Sequence, residues 1–392
     1  MSRSRILFFL LSLVVLLPVI FGTLSRAATD QPADDDALSK HLSVFSEVMS
    51  LIRRAYVEET SIDELLAGAL DGATDALNPL STFVPADEID AYERIRGIGP
   101  AHSGLTVGKE RGIAFVIAVD AGSPGAEAGL KEGDILAEID GRSTRGIPLW
   151  ELQSVLAQEP GTELSLEILR RGQARELTLQ LQTYQTVGPA LEDYDGLAVL
   201  RLGRIEAETV EAVREMLQGL RQSGEDKLLI DLRGLAGGSS EGAYSIAGLF
   251  ASGELGRLQS AEGAEVRFEG FQAQSWTGDT VVLVNAGTQG PAEILAAVLH
   301  QRSDAQLVGQ RSFGLAGHQR LVPLSDGSGL LLTDAYYTGP DGEPISSSLV
   351  PDEVVGEVFR PASEDETEIE DRTLQRGLEL LAGEDEAAEE VA

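Results

Sequence analysis

The residues that could carry out acyl transfer are hydroxyls and one histidine, placed beside glycine-rich segments. Ser239 and Ser240 follow a Gly-Gly pair, Thr288 follows Asn-Ala-Gly, and Ser312 and His318 flank the sequence Phe-Gly-Leu-Ala-Gly. Nucleophilic catalysis needs a hydroxyl within hydrogen-bond reach of a base that a third group orients. His318 could act as a base for Thr288 or Ser312, but no motif joins these residues. Their simplest interpretation is loop hydroxyls and a strand-edge histidine.

The composition excludes several other kinds of chemistry. The chain has no Cys, which excludes a catalytic thiol and cysteine-based metal sites. Its four histidines have no ligand-like spacing, so we expect no metal site and no cofactor. These histidines are His41, His102, His300 and His318.

The chain is strongly acidic. Its 392 residues include 64 Asp and Glu against 30 Lys and Arg, which gives a formal net charge of −34. This charge argues against nucleic-acid binding and against contact with anionic membrane surfaces, and it favours solubility. Twelve of the acidic residues fall within 362–392. We therefore expect a disordered acidic tail after residue 383.

Residues 183–360 contain the elements that would position a site. The runs Lys227–Leu232, Thr280–Val284 and Ala305–Val308 are apolar and short, as in buried strands, and helical segments lie between them. Strands that alternate with helices predict a mostly parallel sheet covered by helices. Ligands at such sheets bind at the carboxyl ends of the strands. The loops after Leu232, Val284 and Val308 are therefore the predicted place for chemistry.

The remaining segments have different patterns. Residues 37–96 show apolar positions at helical spacing and predict a helical N-terminal region. Residues 97–182 contain short alternating runs around tight turns, which are typical of hairpins. Residues 361–392 combine one predicted helix, Thr373–Leu381, with the acidic tail.

Residues 1–28 are typical of an export segment. Arg3 and Arg5 precede a nearly unbroken apolar run, and Ser25-Arg-Ala27 offers small residues for cleavage. The run is also long enough to span a bilayer, so a cleaved signal peptide and an uncleaved anchor both stay open. Both interpretations place the rest of the chain outside the cytoplasm, in the periplasm or another extracytoplasmic space. The chain would be soluble after cleavage, or attached to the membrane only by this segment.

A glycine-bearing loop and a long turn segment identify the domain at 97–182. The loop is Ser103-Gly104-Leu105-Thr106, and the turn segment runs from Ser123 to Leu136. Together they resemble a PDZ domain of the kind found in bacterial proteases. The resemblance implies that a peptide C-terminus pairs with the strand beginning at Leu105 while loop N–H groups bind its carboxylate. The alternative is a PDZ fold that only packs against its neighbour.

Segments on both sides of this domain extend the resemblance over about residues 40–380. They are Tyr56–Val57, Gly68–Gly72, Leu77–Ser81, Asp231–Gly238, Asn285–Glu293, Val308–Gly314 and Leu324–Thr333. The chain as a whole resembles the C-terminal processing (tail-specific) serine peptidases. The resemblance implies an α/β fold with a helical N-terminal region, an inserted β-rich PDZ domain with two helices, and an α/β peptidase-like core with a mostly parallel sheet.

The departures from this family lie at its catalytic positions. The family uses a serine nucleophile and a lysine base supported by a glutamine. The resemblance places the serine at Gly290, the lysine at Leu315 and the glutamine at Gln319, which is retained. Gly290 has no side chain and Leu315 cannot accept a proton. The resemblance therefore implies a member without nucleophile or base.

A third departure affects the oxyanion hole. The family resemblance places its two backbone donors in the Gly237-Gly238 loop and at the residue that follows the nucleophile. That residue is Pro291 here, and proline has no N–H. Loss of one such donor commonly costs about 100- to 1000-fold in rate. Pro291 nevertheless suits the first turn of a helix, so we expect the helix itself to persist.

Three functions follow as hypotheses. The first is a binding protein for polypeptide C-termini or unfolded protein, which acts as scaffold or regulator, either as a homo-oligomer or with an active homologue. The second is an active serine-type endopeptidase with a rewired nucleophile. The third is a cleft for an apolar ligand, since Leu315 makes the site more apolar than a lysine would.

Overall fold

The structure is a computed structural model that describes residues 33–98, 102–260, 263, 265–271, 273, 275–356 and 371–383. The predicted leader at 1–28 and the tail after 383 lie outside these residues. Among the residues it describes, no helix is both long enough and apolar enough to cross a bilayer.

The chain divides into two compact units, the first of which ends at Ala69. The first unit contains α1, Ala33–Ala55, and the first half of α2, Ile62–Asp75. The Ser61 hydroxyl accepts the N–H of Glu64 at 3.4 Å, which caps α2 as its sequence indicates. The helical character predicted for this region is confirmed.

The second unit begins with the end of α2 and continues into β1, Thr82–Val84, and α3, Ile89–Ile98. The sequence predicts only helices here and gives no indication of β1. Its three residues are buried and pair antiparallel with β16, Gly329–Tyr337. A three-residue strand is too short to show a period of two, so its sequence gives no signal.

The predicted PDZ domain is a six-stranded antiparallel sheet with two short helices. Its strands are β2 Leu105–Glu110, β3 Ile113–Val119, β4 Ile135–Ile139, β5 Arg142–Ser143, β6 Glu163–Arg170 and β7 Gln173–Gln180. The helices are α4, Pro124–Glu127, and α5, Leu149–Leu156. The sheet order is β2-β3-β4-β6-β7, with β5 beside β4, so β2 is an edge strand. Inward leucines from β6, β7 and α5 form its core.

The peptidase-like core is built on a second six-stranded sheet. Its strands are β8 Ala190–Tyr194, β9 Leu197–Arg201, β10 Lys227–Asp231, β13 Asp279–Val284, β14 Gln306–Gly309 and β17 Glu353–Val354. The order is β17-β14-β13-β10-β9-β8, and every pair except β8–β9 is parallel. The mostly parallel sheet predicted from the strand–helix alternation is confirmed.

Helices cover both faces of this sheet. They are α6 Ala207–Ser223, α7 Ser240–Ala247, α8 Pro291–Arg302 and α9 Arg372–Ala382. The side chains of α8 are buried from Pro291 to Leu299, as expected for a helix that is apolar on every side apart from Glu293. On the opposite face, Leu374 and Leu381 of α9 pack on β10 and β13. Because α8 is fixed on all sides, its first turn is a rigid support for the preceding loop.

A separate antiparallel sheet stands beside the parallel one. It adds β11 Gly253–Ser260, β12 Glu265–Gly270 and β15 Gly317–Pro323 to β1 and β16. In it, β16 pairs with β1, β11 and β15. Only its closing strands were anticipated from the sequence. The short, partly exposed strands β11 and β12 do not show the continuous apolar runs that identified the parallel sheet.

Candidate functional site

Three loops converge at the carboxyl ends of β10, β13 and β14. The Thr288 hydroxyl donates to the carbonyl of Leu232 at 2.9 Å, and the Gln289 N–H donates to the carbonyl of Leu235 at 3.0 Å. The Phe313 N–H in turn donates to the carbonyl of Thr288 at 2.9 Å. The loops after Leu232, Val284 and Val308, predicted as the place for chemistry, therefore form one bonded cluster.

A buried carboxylate organises the centre of this cluster. Glu293, at the third position of α8, is fully buried. Its Oε1 accepts the Ser312 hydroxyl at 2.5 Å and the Gly314 N–H at 2.6 Å. Its Oε2 accepts the N–H groups of Gly290 at 3.1 Å and Leu315 at 3.0 Å. One side chain thus ties together the two positions at which the resemblance places nucleophile and base.

The electrostatic state of Glu293 reflects two opposed effects. Burial raises the pKa of its carboxyl above the usual value, and the hydrogen bonds from Ser312, Gly314, Gly290 and Leu315 oppose that rise. All four groups are donors, so each of them is matched to a carboxylate oxygen. The carboxylate fixes the shape of the loops around it.

Gly290 has the backbone conformation of a sharp turn into a helix. Its φ is 58° and its ψ is −111°, a region that costs energy for any residue with a Cβ atom. Among the described residues, outside its chain neighbours and its own helix, no heavy atom lies within 4 Å of a Cβ built there. The position has room for a side chain but holds its backbone in a conformation that favours glycine.

Pro291 is the first residue of α8, as its preference for helix N-termini indicates. It is buried, and its ring nitrogen carries no hydrogen. The position after Gly290 therefore cannot supply a backbone donor to an oxyanion.

Leu315 and Gln319 have different surroundings. The Leu315 side chain is 6% exposed, and its carbonyl accepts the side-chain amide of Gln289 at 2.9 Å. The Gln319 amide donates to the Thr333 hydroxyl at 2.5 Å. Its Oε1 atom is buried and has no hydrogen-bond partner among the described residues. A buried amide oxygen without a donor is unfavourable. Leu315, where the family resemblance places a lysine, has no donor in its side chain.

The Gly237-Gly238 loop is attached to the segment that precedes α6. The Ile205 N–H donates to the Gly237 carbonyl at 3.1 Å, and the Ser239 N–H donates to the Ile205 carbonyl at 2.7 Å. A Cβ atom at Gly237 would lie 2.4 Å from Nη1 of Arg204. The Arg204 guanidinium therefore lies directly against this loop.

The PDZ domain packs on the rim of the same cluster. The rings of Phe115 on β3 and Phe313 lie 6.3 Å apart, and the Glu132 carboxylate accepts the side-chain amide of Asn285. Asp120, at the end of β3, pairs with Arg204 at 3.6 Å. Two of these contacts join the PDZ domain to the loops after Val284 and Val308, and the third joins it to the segment between β9 and α6.

The predicted peptide-binding loop has a constrained backbone. Gly104 has φ of 71°, and a Cβ atom there would lie 2.0 Å from Cβ of Ser123, so only glycine fits. The Ser103 hydroxyl accepts the Leu105 N–H at 3.3 Å. Thr106 pairs with Ala118 of β3 and is half-buried. These residues form the start of edge strand β2.

The alternative hydroxyls have other partners. Thr288 donates to Leu232, and Ser312 donates to Glu293 and accepts the Leu349 N–H at 2.8 Å. Ser239 caps α7 by accepting the Gly242 N–H at 2.9 Å, and Ser240 contacts Tyr337.

His318 lies on β15 and is half-exposed. Its Nδ1 is 2.7 Å from Oδ1 of Asp334, and this contact together with Arg320 holds the pKa of Asp334 below its usual value against the effect of burial. Since the protons of Thr288 and Ser312 are directed to other acceptors, the structure does not bring either hydroxyl together with His318.

Sequence reasoning missed three of the residues that shape this site. Glu293 had one signal, since it lies three residues after the N-cap Gly290, where a side chain can return to the N-cap N–H. Arg204 and Asp120 had none, because they are distant in sequence and meet only in the fold. Within the described ranges, no group of three or more metal-ligating side chains comes together.

Known proteins share both parts of this architecture. The model of peptidase family S41 matches residues 196–355, and a PDZ domain model matches residues 115–170. The chain is 30% identical over 351 residues to a carboxyl-terminal-processing protease of Synechocystis, covering 85% of this chain and 81% of that protein. It is 26% identical to the carboxy-terminal processing protease CtpA of Bacillus subtilis, covering 91% and 78% of the two chains.

A solved structure supports the same fold. The photosystem II D1 C-terminal processing protease superposes with a TM-score of 0.63 at 24% identity, covering 79% of this chain and 92% of that chain. The sequence matches extend over the N-terminal region, the PDZ domain and the core together. The chain belongs to the carboxyl-terminal processing proteases of peptidase family S41.

Proposed function

We propose that this chain is an exported pseudoprotease that binds polypeptide C-termini through its PDZ domain and does not cleave them. One observation carries the proposal: Gly290 and Leu315 donate to the same carboxylate oxygen of Glu293. The positions that the family resemblance assigns to nucleophile and base are therefore neighbours, as an intact dyad would require. Neither residue offers an attacking atom or a proton acceptor.

The arrangement of hydroxyls supports the loss of catalysis. Thr288 donates its single proton to the Leu232 carbonyl, and Ser312 donates its proton to the buried Glu293 carboxylate, whose oxygens also accept three backbone N–H groups. A rewired nucleophile would need one of these protons to point to His318, and both are directed to other acceptors. Pro291 adds a missing oxyanion donor to the missing dyad.

Peptide capture by the PDZ domain is the activity that would remain without catalysis. β2 is an edge strand of the PDZ sheet, and edge strands accept an added strand. The glycine at position 104 permits the tight loop whose N–H groups would face a carboxylate. Captured termini would be retained for presentation to another protein, or withheld from an active homologue in a mixed oligomer.

The location of this activity is part of the proposal. The basic, apolar and small-residue pattern of residues 1–28 supports export, with the PDZ domain and core outside the cytoplasm. Protease accessibility in intact and in lysed cells would separate an exported chain from a retained one.

The direct test compares peptides with apolar C-terminal residues, each prepared with a free carboxylate and as the C-terminal amide. We expect fluorescence anisotropy to show binding of the free acid and loss of binding for the amide. Equal binding of both forms, or binding of neither, would refute capture of C-termini. Cleavage of unfolded protein by the unmodified chain would refute the pseudoprotease.

The apolar-ligand hypothesis has no observation in its favour. The Leu315 side chain is already 94% covered by the protein itself, as its 6% exposure shows. An apolar pocket that binds a ligand would need this surface to be open.

A further inference from the structure

The free edge of β2 does not extend along the whole strand. Val107 pairs with Val116, whose N–H and C=O bond to Asp134 and Gly133 on the other side of β3. The polar groups of Val107 therefore point outward, and in an antiparallel strand so do those two residues further on, at Lys109. The outward N–H of Lys109 is already used, because it donates to the carbonyl of Pro79 at 2.9 Å.

The Pro79 segment is fixed in this position from both sides. Asn78 makes a turn in which its side-chain oxygen accepts the Leu80 N–H at 3.0 Å, and its amide donates to Thr333 at 3.3 Å. Two residues after Leu80 the chain enters β1, which is bonded to β16. Pro79 is therefore part of the second compact unit rather than a loose neighbour of β2.

The end of α2 closes the same part of the edge. The Lys109 side chain is only 4% exposed and pairs with Asp71 at 3.1 Å. The Gly112 N–H, in the turn after β2, donates to Asp75 at 2.7 Å. A strand added to β2 beyond Val107 would have to displace this buried ion pair as well as the carbonyl of Pro79.

From these contacts we infer that the PDZ groove accepts only the last four residues of a polypeptide, and that Pro79 sets this limit. A strand added antiparallel to β2 places its carboxylate at Gly104 and Leu105, its third residue from the end opposite Val107, and its fifth opposite Lys109. The fifth position is occupied by Pro79. The inference rests on the proposed capture of C-termini and specifies the ligand. It is a segment of at most four extended residues that ends in a free carboxylate.

The limit has a consequence for the bound chain. Residues upstream of the fourth must leave the surface of β2 at Pro79, so their sequence does not contribute to binding. A fifth residue that did gain the Lys109 hydrogen bond would improve affinity by about 2- to 10-fold.

The experiment measures dissociation constants for a peptide series of three, four, five, six and eight residues with one C-terminal sequence. The full chain is used, with residue-resolved amide exchange of Val107 and Lys109 in parallel. We expect affinity to rise up to four residues and then to change by less than about twofold. Lys109 should be protected before any peptide is added, and of these two amides peptide should slow the exchange only of Val107.

A variant tests the limit directly. Asp71→Ala/Asn78→Ala loosens the closing segment, and we expect the fifth residue to improve affinity in this variant only. Glu93→Ala, at an exposed position of α3, is the matched control and should behave like the unmodified chain.

Two results would overturn the inference. One is an affinity in the unmodified chain that keeps rising beyond four residues, and the other is a Lys109 amide that exchanges as fast as that of Val107 in the free protein. If no peptide of any length binds through its carboxylate while Lys109 is protected, the proposed capture fails although the closed edge is real. The exchange data thus separate failure of the limit from failure of the function.

Discussion

Gly290 and Leu315 are joined through one atom: both backbone N–H groups donate to Oε2 of Glu293, at 3.1 and 3.0 Å. Their nitrogens are therefore no further apart than the two bonds together. The cluster keeps these positions together although neither has a reactive side chain. Its geometry is maintained by backbone donors, which do not depend on the identity of the residues that supply them.

Replacement of Gly290 by serine should destabilise the chain, even though the position has space. The φ of 58° strains any residue with a Cβ atom, and we expect a loss of about 1–3 kcal/mol in the free energy of unfolding. Gly290→Ala should cost the same, because the strain comes from the Cβ and not from the hydroxyl. Urea unfolding measures both.

The matched control for this strain is Gly146→Ala. Gly146 has no left-handed φ, and among the described residues no heavy atom beyond its chain neighbours lies within 4 Å of its Cβ position. This change should be neutral or slightly stabilising, by less than about 1 kcal/mol. Equal effects at the two glycines would contradict a strained Gly290.

Restoration of the dyad alone should give a poor enzyme. Gly290→Ser with Leu315→Lys supplies a nucleophile and a base, but Pro291 still lacks the N–H of the oxyanion hole. We expect addition of Pro291→Ala to raise the rate of cleavage of an unfolded tail-tagged protein by about 100- to 1000-fold.

The control for restoration replaces the serine by alanine in the same triple variant. Cleavage by that control would show contamination rather than restored chemistry. Equal rates for the double and triple variants would show that position 291 does not contribute a donor.

Gln319 should become important only when a cation returns to position 315. Its buried Oε1 has no partner among the described residues, and an ammonium group in the Leu315→Lys background would supply a donor. We expect Gln319→Met to cost about 1 kcal/mol more in that background than in the unmodified chain. The bond to Thr333 is lost in both backgrounds and cancels in the double-mutant cycle.

That cycle is measured by urea unfolding of the four proteins. A coupling of zero would mean that a lysine at position 315 does not reach the amide. The retained glutamine would then have only its contact with Thr333 to explain it.

Docking of α9 should weaken in acid. Burial alone would raise the pKa of Asp371, but the hydrogen bonds from Arg233 and from the Leu374 N–H hold it below its usual value of 3.8. A lowered pKa means that the stabilisation is complete above the unfolded-state pKa and is lost as the pH falls below it. We therefore expect the protection factors of the α9 amides, which correct for the slower intrinsic exchange in acid, to fall below about pH 4.

Asp371→Asn isolates the ion pair with Arg233, because Asn caps a helix as well as Asp does. At neutral pH this variant should be less stable by up to about 1 kcal/mol, a small effect because the Asp371 side chain is 41% exposed. The difference from the unmodified chain should disappear as the pH falls. A difference that persists unchanged at acid pH would contradict the assigned role of the carboxylate.

Much of the core was predictable because its signals are local. The apolar runs at 227–232 and 280–284 specify buried parallel strands, and such strands place their following loops at one edge. This is why the loops that contain Gly237 and Gly290 were expected together. β1 and its pairing with β16 were not predictable, since a strand of three residues depends on its partner and not on its own pattern.

The hydrogen bonds and ion pairs of the site were less predictable, because their partners are distant in sequence. The four donors to Glu293 come from two loops that are more than twenty residues apart, and Arg204 meets Asp120 across a domain boundary. Such partners come together only in the folded chain. The closing of β2 by Pro79 belongs to this class, because the carbonyl of any residue would look the same in the sequence.

The buried carboxylate of Glu293 holds the loops in a shape that does not depend on reactive side chains at Gly290 and Leu315. Because Glu293 bonds mainly to backbone N–H groups, substitutions at Gly290 and Leu315 leave its hydrogen bonds intact. A lineage could thus abandon catalysis by single replacements without first rebuilding the loops. Under the proposed function, the same property makes the loss of catalysis reversible in principle, since the loops that would hold the reactive residues are still bonded to Glu293.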